Sequence, residues 1–179
     1  MANTKWGIDP SHSEIQFKIK HMMVSNVTGN FNQFDVNVET DNDNFENAKI
    51  SFNADIDSIS TGNEQRDSHL KSADFFDAES FPKITFESSE FNKVDDSEFE
   101  LKGNLTIKDI TKPIKLNVEF GGSGLDPWGN KKAGFSIAGK INRKDFGLNW
   151  NSALETGGVL VSDEVKLLAE VQLAEVVIA

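Results

Sequence analysis

The sequence predicts an all-β protein of eight antiparallel strands, folded as one domain that spans residues 1–179. Apolar and polar residues alternate with a period of two in eight separate segments, as they do where successive side chains of a strand point to opposite faces. The connections are mostly short and rich in Gly, Asn and Asp, which favours strands that run antiparallel to their neighbours. Eight such strands can form either a two-layer sandwich or a closed barrel.

The eight strand candidates follow one another along the chain. They lie at 15–21, 34–38, 48–56, 84–88, 99–107, 114–120, 135–141 and 165–173. Each has one apolar and one largely polar face, which suits an antiparallel sheet that is buried on one side. Closure into a barrel would leave no exposed sheet edge to protect.

Two segments interrupt this alternation. In the first, 57–82, Thr61 and Glu64 have the spacing of a helix capping box, and Pro82 returns the chain to an extended conformation. A short helical segment is therefore predicted between strands 3 and 4. The second, 142–163, is long for a connection, and long ordered loops are often functional.

The composition excludes several classes of function. A formal net charge of −11 repels nucleic acid, so no nucleic-acid partner is expected. No stretch approaches about 18 consecutive apolar residues, so we expect no integral membrane segment. The N-terminal sequence MANTKWGIDP lacks the basic and apolar regions of a secretory signal, which predicts a cytoplasmic location.

Candidate catalytic and metal-binding residues are few. The chain has no cysteine, and the spacing of its three histidines, His12, His21 and His69, is not that of a metal site. The GxSxG motif of a nucleophile elbow is absent, although Ser68 precedes His69. We therefore expect no metal, no cofactor and no catalytic residue, and the protein is not expected to be an enzyme.

Six segments carry a resemblance to a known family. They are WGIDPSHSEIQFKIKH (6–21), VTGNFNQF (27–34), ISTGNEQRDSHLKSADFFDAESFPKITFES (59–88), GNLTIKDITKPIKLNVEFGG (103–122), DPWGNKKAGFSIAGKINRKDFGLNW (126–150) and SDEVKLLAEVQL (162–173). On these segments, which cover nearly the whole chain in order, the sequence resembles the YceI-like family, also called the polyisoprenoid-binding YceI-like domain.

The resemblance implies a lipocalin-like, eight-stranded antiparallel β-barrel. It also implies that the barrel pore binds an isoprenoid or another long-chain lipid, and it suggests a homodimer. Many members are exported to the periplasm, and this sequence differs from them because its N-terminus shows no signal. The expected function is non-catalytic binding, transport or storage of a long-chain apolar or amphiphilic lipid.

The apolar face of the strands supplies the predicted contacts with the lipid tail. These are Phe17, Ile19, Phe34, Phe52, Phe86, Leu101, Ile107, Phe120, Phe135 and Ile137. His21 lies on the same face, where a histidine is more often a hydrogen-bonded core residue than a ligand contact. The inward set also contains small residues, such as Ala48 and Gly103, which either leave a channel or fit the taper of a packed core.

A polar or anionic head group is expected near the loops that carry Arg66, His69 and Arg143. Arginine presents a planar fork that matches a carboxylate or phosphate. The alternative is a structural role, in which Arg66 pairs with Asp67 and Arg143 with Asp145. Two other functions stay open: a protein-interaction or stress-response module with a filled barrel, and an enzyme that acts on an isoprenoid-type substrate.

Overall fold

The computed structural model describes residues 3–21, 24–41, 44–148 and 161–176. Within them are eleven β-strands and one α-helix. The strands are β1 (Asn3–Ile8), β2 (Glu14–His21), β3 (Ser25–Phe31), β4 (Phe34–Asp41), β5 (Asn44–Asp55), β6 (Ile59–Ser60), β7 (Lys83–Lys93), β8 (Glu98–Ile107), β9 (Ile110–Leu125), β10 (Lys131–Asn142) and β11 (Val161–Glu175). The helix, α1, spans Glu64–Lys71.

The strands form a closed antiparallel barrel with eight positions around its wall. The ring runs β1-β4-β5-β7-β8-β9-β10-β11, and it closes because β1 pairs with both β4 and β11. The long strand β11 also pairs with β2, from Val161 to Glu170, while its last residues pair with β1. Strands β2, β3 and β6 therefore continue the wall positions of β1, β4 and β5.

Three neighbouring strand positions of the wall are interrupted at the same height of the barrel. We call this line of interruptions the seam. It comprises residues 9–13, 32–33 and 56–58. Backbone hydrogen bonds connect the interrupted segments: Asn32 N donates to Ser58 O (3.1 Å), and Asp55 N donates to Gln33 O (2.9 Å). Beyond the seam, β2, β3 and β6 form what we call the mouth leaf. Its last strand, β6, has a described ladder only with β3, and α1 follows that edge.

The predicted all-β, eight-stranded antiparallel barrel is confirmed, but the predicted position of the helix is wrong. Helix α1 follows β6 instead of lying between the third and fourth strands. The alternation pattern missed β1, β3 and β6, because these strands are short and β3 contains Gly29 and several polar residues. The helix also begins two residues later than the capping box at Thr61 predicts: Asn63 is the N-cap, and its side chain accepts a hydrogen bond from Arg66 N.

In the described part of the chain, no helix is both long and apolar enough to cross a membrane.

Four aromatic side chains, which we call the aromatic plug, fill the end of the barrel opposite α1. Phe45 lies at the centre, with ring centroids 5.1 Å from Trp6, 5.8 Å from Phe120 and 5.1 Å from Phe135. Trp6 is only 1% exposed, and its indole N–H donates to Thr40 Oγ1 at 3.1 Å. Such tilted and edge-on pairs are favourable arrangements for aromatic rings.

Glycines on the inward face leave no channel, because larger neighbours cover them. A Cβ atom on Gly29 would overlap the ring of Phe17, which is its cross-strand partner, and one on Gly103 would overlap the ring of Phe86. Each glycine thus provides the space into which a neighbouring ring packs. Of the two alternatives for small inward residues, a packed core describes these two positions better than an open channel does.

Asp9, in the seam, is expected to make stability depend on pH. Its carboxylate is 19% exposed and accepts hydrogen bonds from Ser11 and His12, which lower its pKa from 3.8 to about 2. Because the folded pKa lies below the unfolded value, this stabilisation is full above pH 4–5 and is lost as the pH falls towards 2. Asp9→Asn should therefore lower the free energy of unfolding by about 1–2 kcal/mol at pH 7.

Urea denaturation of both proteins at pH 7 and at pH 2.5 measures this effect. Other carboxylates titrate equally in the two proteins, so the difference between them isolates Asp9. An equal difference at both pH values would show that the charge of Asp9 has no role.

Candidate ligand-binding site

The barrel encloses an inner cavity of about 180 Å³ whose wall is almost entirely apolar. It is bounded by inward residues of all the main strands, as expected where side chains alternate across a barrel wall. Seven of the predicted tail contacts line it: Phe17, Phe52, Phe86, Leu101, Ile107, Phe135 and Ile137. Such a surface can bind apolar groups by removing them from water, and it offers no polar group to orient them.

A second cavity of about 430 Å³, which we call the mouth, lies between the mouth leaf, α1 and the chain around 143–148 and 161–165. It shares six wall residues with the inner cavity: Phe17, Phe31, Ile84, Ile107, Ile141 and Leu167. Phe31 stands at this boundary, with ring centroids 5.7 Å from Phe17 and 6.3 Å from Phe76. Two aromatic rings thus form part of the boundary between the cavities.

Basic side chains line the mouth although the protein is acidic overall. Its described wall includes Lys20, Arg66, His69 and Arg143, and none of its lining residues carries a carboxylate. The remaining lining is mostly apolar, with Ile19, Leu70 and Phe75 among the contributors. A cavity with an apolar body and a basic margin can hold an amphiphile whose head group is anionic.

Arg66, on α1, does not form the predicted pair with Asp67. Its Nε donates to Thr61 Oγ1 (2.7 Å) and its Nη2 to Thr61 O (2.6 Å), while Asp67 Oδ1 accepts from Thr61 N and Oγ1. Thr61 therefore lies between the two charges. Nη1 of Arg66 has no partner among the described residues, so one side of the guanidinium fork stays available at the mouth.

His69, on α1, is held by the segment that follows the helix. Its Nε2 lies 2.9 Å from Asp74 Oδ2, so this nitrogen donates to the carboxylate. The imidazole also packs edge-on against Phe75, with 5.1 Å between ring centroids. These contacts fix the ring at the mouth and place one carboxylate directly behind it.

Arg143 is buried and ties together two segments of the chain. Its side chain is 2% exposed, with Nε donating to Ser162 O (2.8 Å), Nη1 to Leu148 O (2.6 Å) and Nη2 to Val161 O (3.2 Å). Its acidic neighbour is Asp163, 3.8 Å away, rather than the predicted Asp145. Burial lowers the pKa of the guanidinium, and Asp163 offsets part of this effect.

The comparison with known families agrees with this architecture. A model of the YceI-like domain matches residues 6–173, which is most of the chain. The protein belongs to the YceI-like family.

Relatives and solved structures resemble this chain over most of its length. The UPF0312 protein SA2479 of Staphylococcus aureus is 44% identical over 170 residues, which are 94% of this chain and 96% of the relative. The Campylobacter jejuni YCEI protein superposes with a TM-score of 0.77 and 36% identity, covering 89% of this chain and 91% of that one. A polyisoprenoid binding domain from Saccharophagus degradans shares the fold, with a TM-score of 0.70, 14% identity, and coverage of 96% and 98%.

Some predicted site residues of this YceI-like barrel lie elsewhere than the two cavities. Ile19 lines the mouth rather than the inner cavity, and Phe120 lies in the aromatic plug. Phe34 packs on the core beside the seam and lines neither cavity. His21 is the last residue of β2, and its side chain lies outside the described structure. Residues 149–160 of the long predicted loop also lie outside it.

The sequence patterns missed several residues of the YceI-like cavities. Phe31 stands at their boundary, and Phe76 packs against it from the segment after α1. Phe31 was recognisable, because Val27, Gly29 and Phe31 alternate with polar residues as in the other strands. Phe76 lies in an irregular segment, so the sequence predicts only that it packs on the barrel or closes one end of it, together with Leu70 and Phe75.

The described residues offer no arrangement for metal chemistry, because they contain no cluster of three His, Asp or Glu side chains that could hold an ion. What the YceI-like site presents is an apolar interior and a basic margin. Its geometry suits binding.

Proposed function

We propose that this YceI-like protein binds a long-chain lipid of the isoprenoid or fatty-acid type and carries or stores it without chemical change. The observation that carries the proposal is the pairing of an apolar inner cavity with a mouth lined by Lys20, Arg66, His69 and Arg143. The polyisoprenoid-binding domain of S. degradans, which has the same fold, supports it. Location in the cytoplasm and assembly as a homodimer stay predictions from the sequence.

The tail of the ligand would lie in the inner cavity and its head group at the mouth. Each methylene removed from water contributes about 0.8 kcal/mol before ordering costs, so a long chain suffices to drive binding. The free side of the Arg66 fork would receive an anionic head group, with His69 beside it. Arg143 contributes differently, because its described donors already hold the backbone around the mouth.

Native mass spectrometry of the gently purified protein, combined with titration of hexadecanoic acid, tests the proposal. A co-purified lipid or saturable binding of the acid is the expected result. If no lipid is retained and the acid does not bind, the carrier function is ruled out.

The alternative of a protein-interaction module also has an observation in its favour. The inner cavity is small, and Phe17 and Phe86 fill the space over two glycines. The same titration separates the two functions, because a filled barrel would exclude hexadecanoic acid.

Arg66→Ala is expected to weaken binding of hexadecanoic acid by about tenfold or more, since a charge-assisted hydrogen bond contributes about 1.5–3 kcal/mol. Binding of hexadecanol should change little, because its head group is uncharged. Isothermal titration of both ligands measures the two affinities. Lys115→Ala is the control, as it removes an exposed positive charge on the outer face of β9, away from both cavities; an equal loss in both variants would point to net charge alone.

A further inference from the structure

A groove of about 800 Å³ lies on the barrel wall at the end away from α1. There β5 and β7, which are paired from Asp55–Lys83 to Ser51–Glu87, separate from one another. Past this point each strand keeps its other neighbour, β4 for β5 and β8 for β7. We call the opening between Asn44–Ile50 of β5 and Ser88–Lys93 of β7 the slot.

The sequence explains why the two strands separate here. Ser88 Oγ accepts a hydrogen bond from Ile50 N at 2.8 Å, so a side chain takes the backbone amide that would continue the ladder. Just beyond, the pairing of β7 with β8 shifts register between Ser88 and Glu90. On the other side, Asn47 has a φ of 65°, in the left-handed region, where the pairing of β5 with β4 also shifts.

The slot meets the interior of the barrel. Val38, Ala48, Ile50 and Phe91 line both the inner cavity and the groove, so one layer of side chains separates them. The outer lip is polar and nearly balanced in charge, with Lys5 and Lys49 as well as Glu39, Glu87 and Glu90. A chain end that reached this lip would be in contact with water.

The inner cavity by itself has little room for a long chain. Its volume of about 180 Å³ is close to that of an engineered cavity of about 150 Å³ that holds one benzene molecule. The aromatic plug closes the barrel directly beyond it, with Trp6 buried behind Phe45. The part of a long tail that passes the mouth therefore meets little free space ahead of it, and the slot beside the plug, which shares four lining residues with the inner cavity, is a place where its end could reach water.

We infer that the slot is a second opening of the barrel, through which the far end of a long-chain ligand reaches water. This inference rests on the proposed function and extends it. It assigns to the protein a wider ligand class, namely chains that are longer than the interior and chains that carry a polar group at both ends. In a barrel with a single entrance, an extended chain of either kind would have its far end buried, where a charged group cannot be hydrated.

The affinities for hexadecanoic acid and for hexadecanedioic acid test the inference. With an open slot, the second carboxylate stays hydrated and the diacid should bind within about tenfold of the monoacid. In a closed interior, burying one ion costs several kcal/mol, so the diacid should bind about a thousandfold more weakly. That second result would overturn the slot while leaving the proposed function intact, whereas failure of the monoacid to bind would overturn both.

The diacid could also bind by folding back so that both carboxylates lie at the mouth. A bulky residue at the slot distinguishes this mode from exit through the slot, because it blocks only the exit. Ala48→Trp places an indole between the inner cavity and the groove. The second carboxylate of the diacid must then be buried, so the ratio of diacid to monoacid affinity should fall by about a hundredfold. Ala138→Trp, on the exposed outer face of β10, is the matched control and should leave the ratio unchanged.

Because Ala48 is buried, Ile50→Trp provides a second variant at a half-buried position of the same slot. Thermal unfolding identifies which variant is folded, and the affinity ratio is measured in that protein. A ratio equal to that of the unmodified protein in a folded slot variant would overturn the inference.

Discussion

Arg143→Ala is expected to destabilise the protein by about 3–5 kcal/mol, because three backbone carbonyl groups lose a charged hydrogen-bond donor. The guanidinium donates to the backbone carbonyls of Leu148, Val161 and Ser162, which belong to two segments separated in sequence. Without it, these buried or half-buried carbonyl groups lose their partners, and each unsatisfied group adds to the cost. Urea denaturation measures the free energy of unfolding directly.

Two further variants make this test specific. Arg143→Lys keeps the positive charge but cannot reach three carbonyls with one ammonium group, so most of the loss should persist. Arg66→Ala removes the other arginine, which bonds only within Thr61–Arg66, and it should cost much less. If Arg143→Ala kept full stability and lost only ligand affinity, Arg143 would be a head-group contact and not a structural residue.

Trp6→Ala should lower stability by a similar amount, about 3–5 kcal/mol, as expected for truncation of a buried large aromatic residue. The substitution opens a cavity in the aromatic plug beside Phe45 and leaves Thr40 Oγ1 without its indole donor. Chemical denaturation again provides the measurement. Trp128→Ala is a matched control, because Trp128 is 82% exposed and its loss should change stability by less than about 0.5 kcal/mol. Comparable losses in both variants would contradict the role of the plug.

The period of the apolar residues sufficed to predict eight of the strands, because a strand that is buried on one face must alternate, whereas the choice of a barrel over a sandwich came from the family resemblance. Long strands such as β8 and β10 carry that signal clearly. The two residues of β6 cannot show a period, and the polar β3 pairs as a strand because β2 lies beside it. The predicted position of the helix was wrong because these short strands, which precede the helix, were not counted.

The binding site was predictable in its chemistry and less so in its geometry. Phe52 and Phe86 line the inner cavity as the alternation predicts, whereas Phe120 has the same inward position and packs into the plug. Which inward residue borders free space depends on how neighbouring rings fill the barrel. The partner of Arg143 was equally hidden, because long side chains choose among carbonyls that only the folded chain brings within reach.

The seam divides one side of the wall into two levels, and this gives the mouth leaf a mechanical independence. Strand β2 is attached along β11, while β6, at the other side of the leaf, has its described ladder with β3 alone. The mouth leaf can therefore move about its attachment to β11, with the largest displacement at β6, which is followed by α1. Opening it breaks no pairing of the ring below the seam, so its amide protons should exchange with solvent by a motion that leaves the aromatic plug closed.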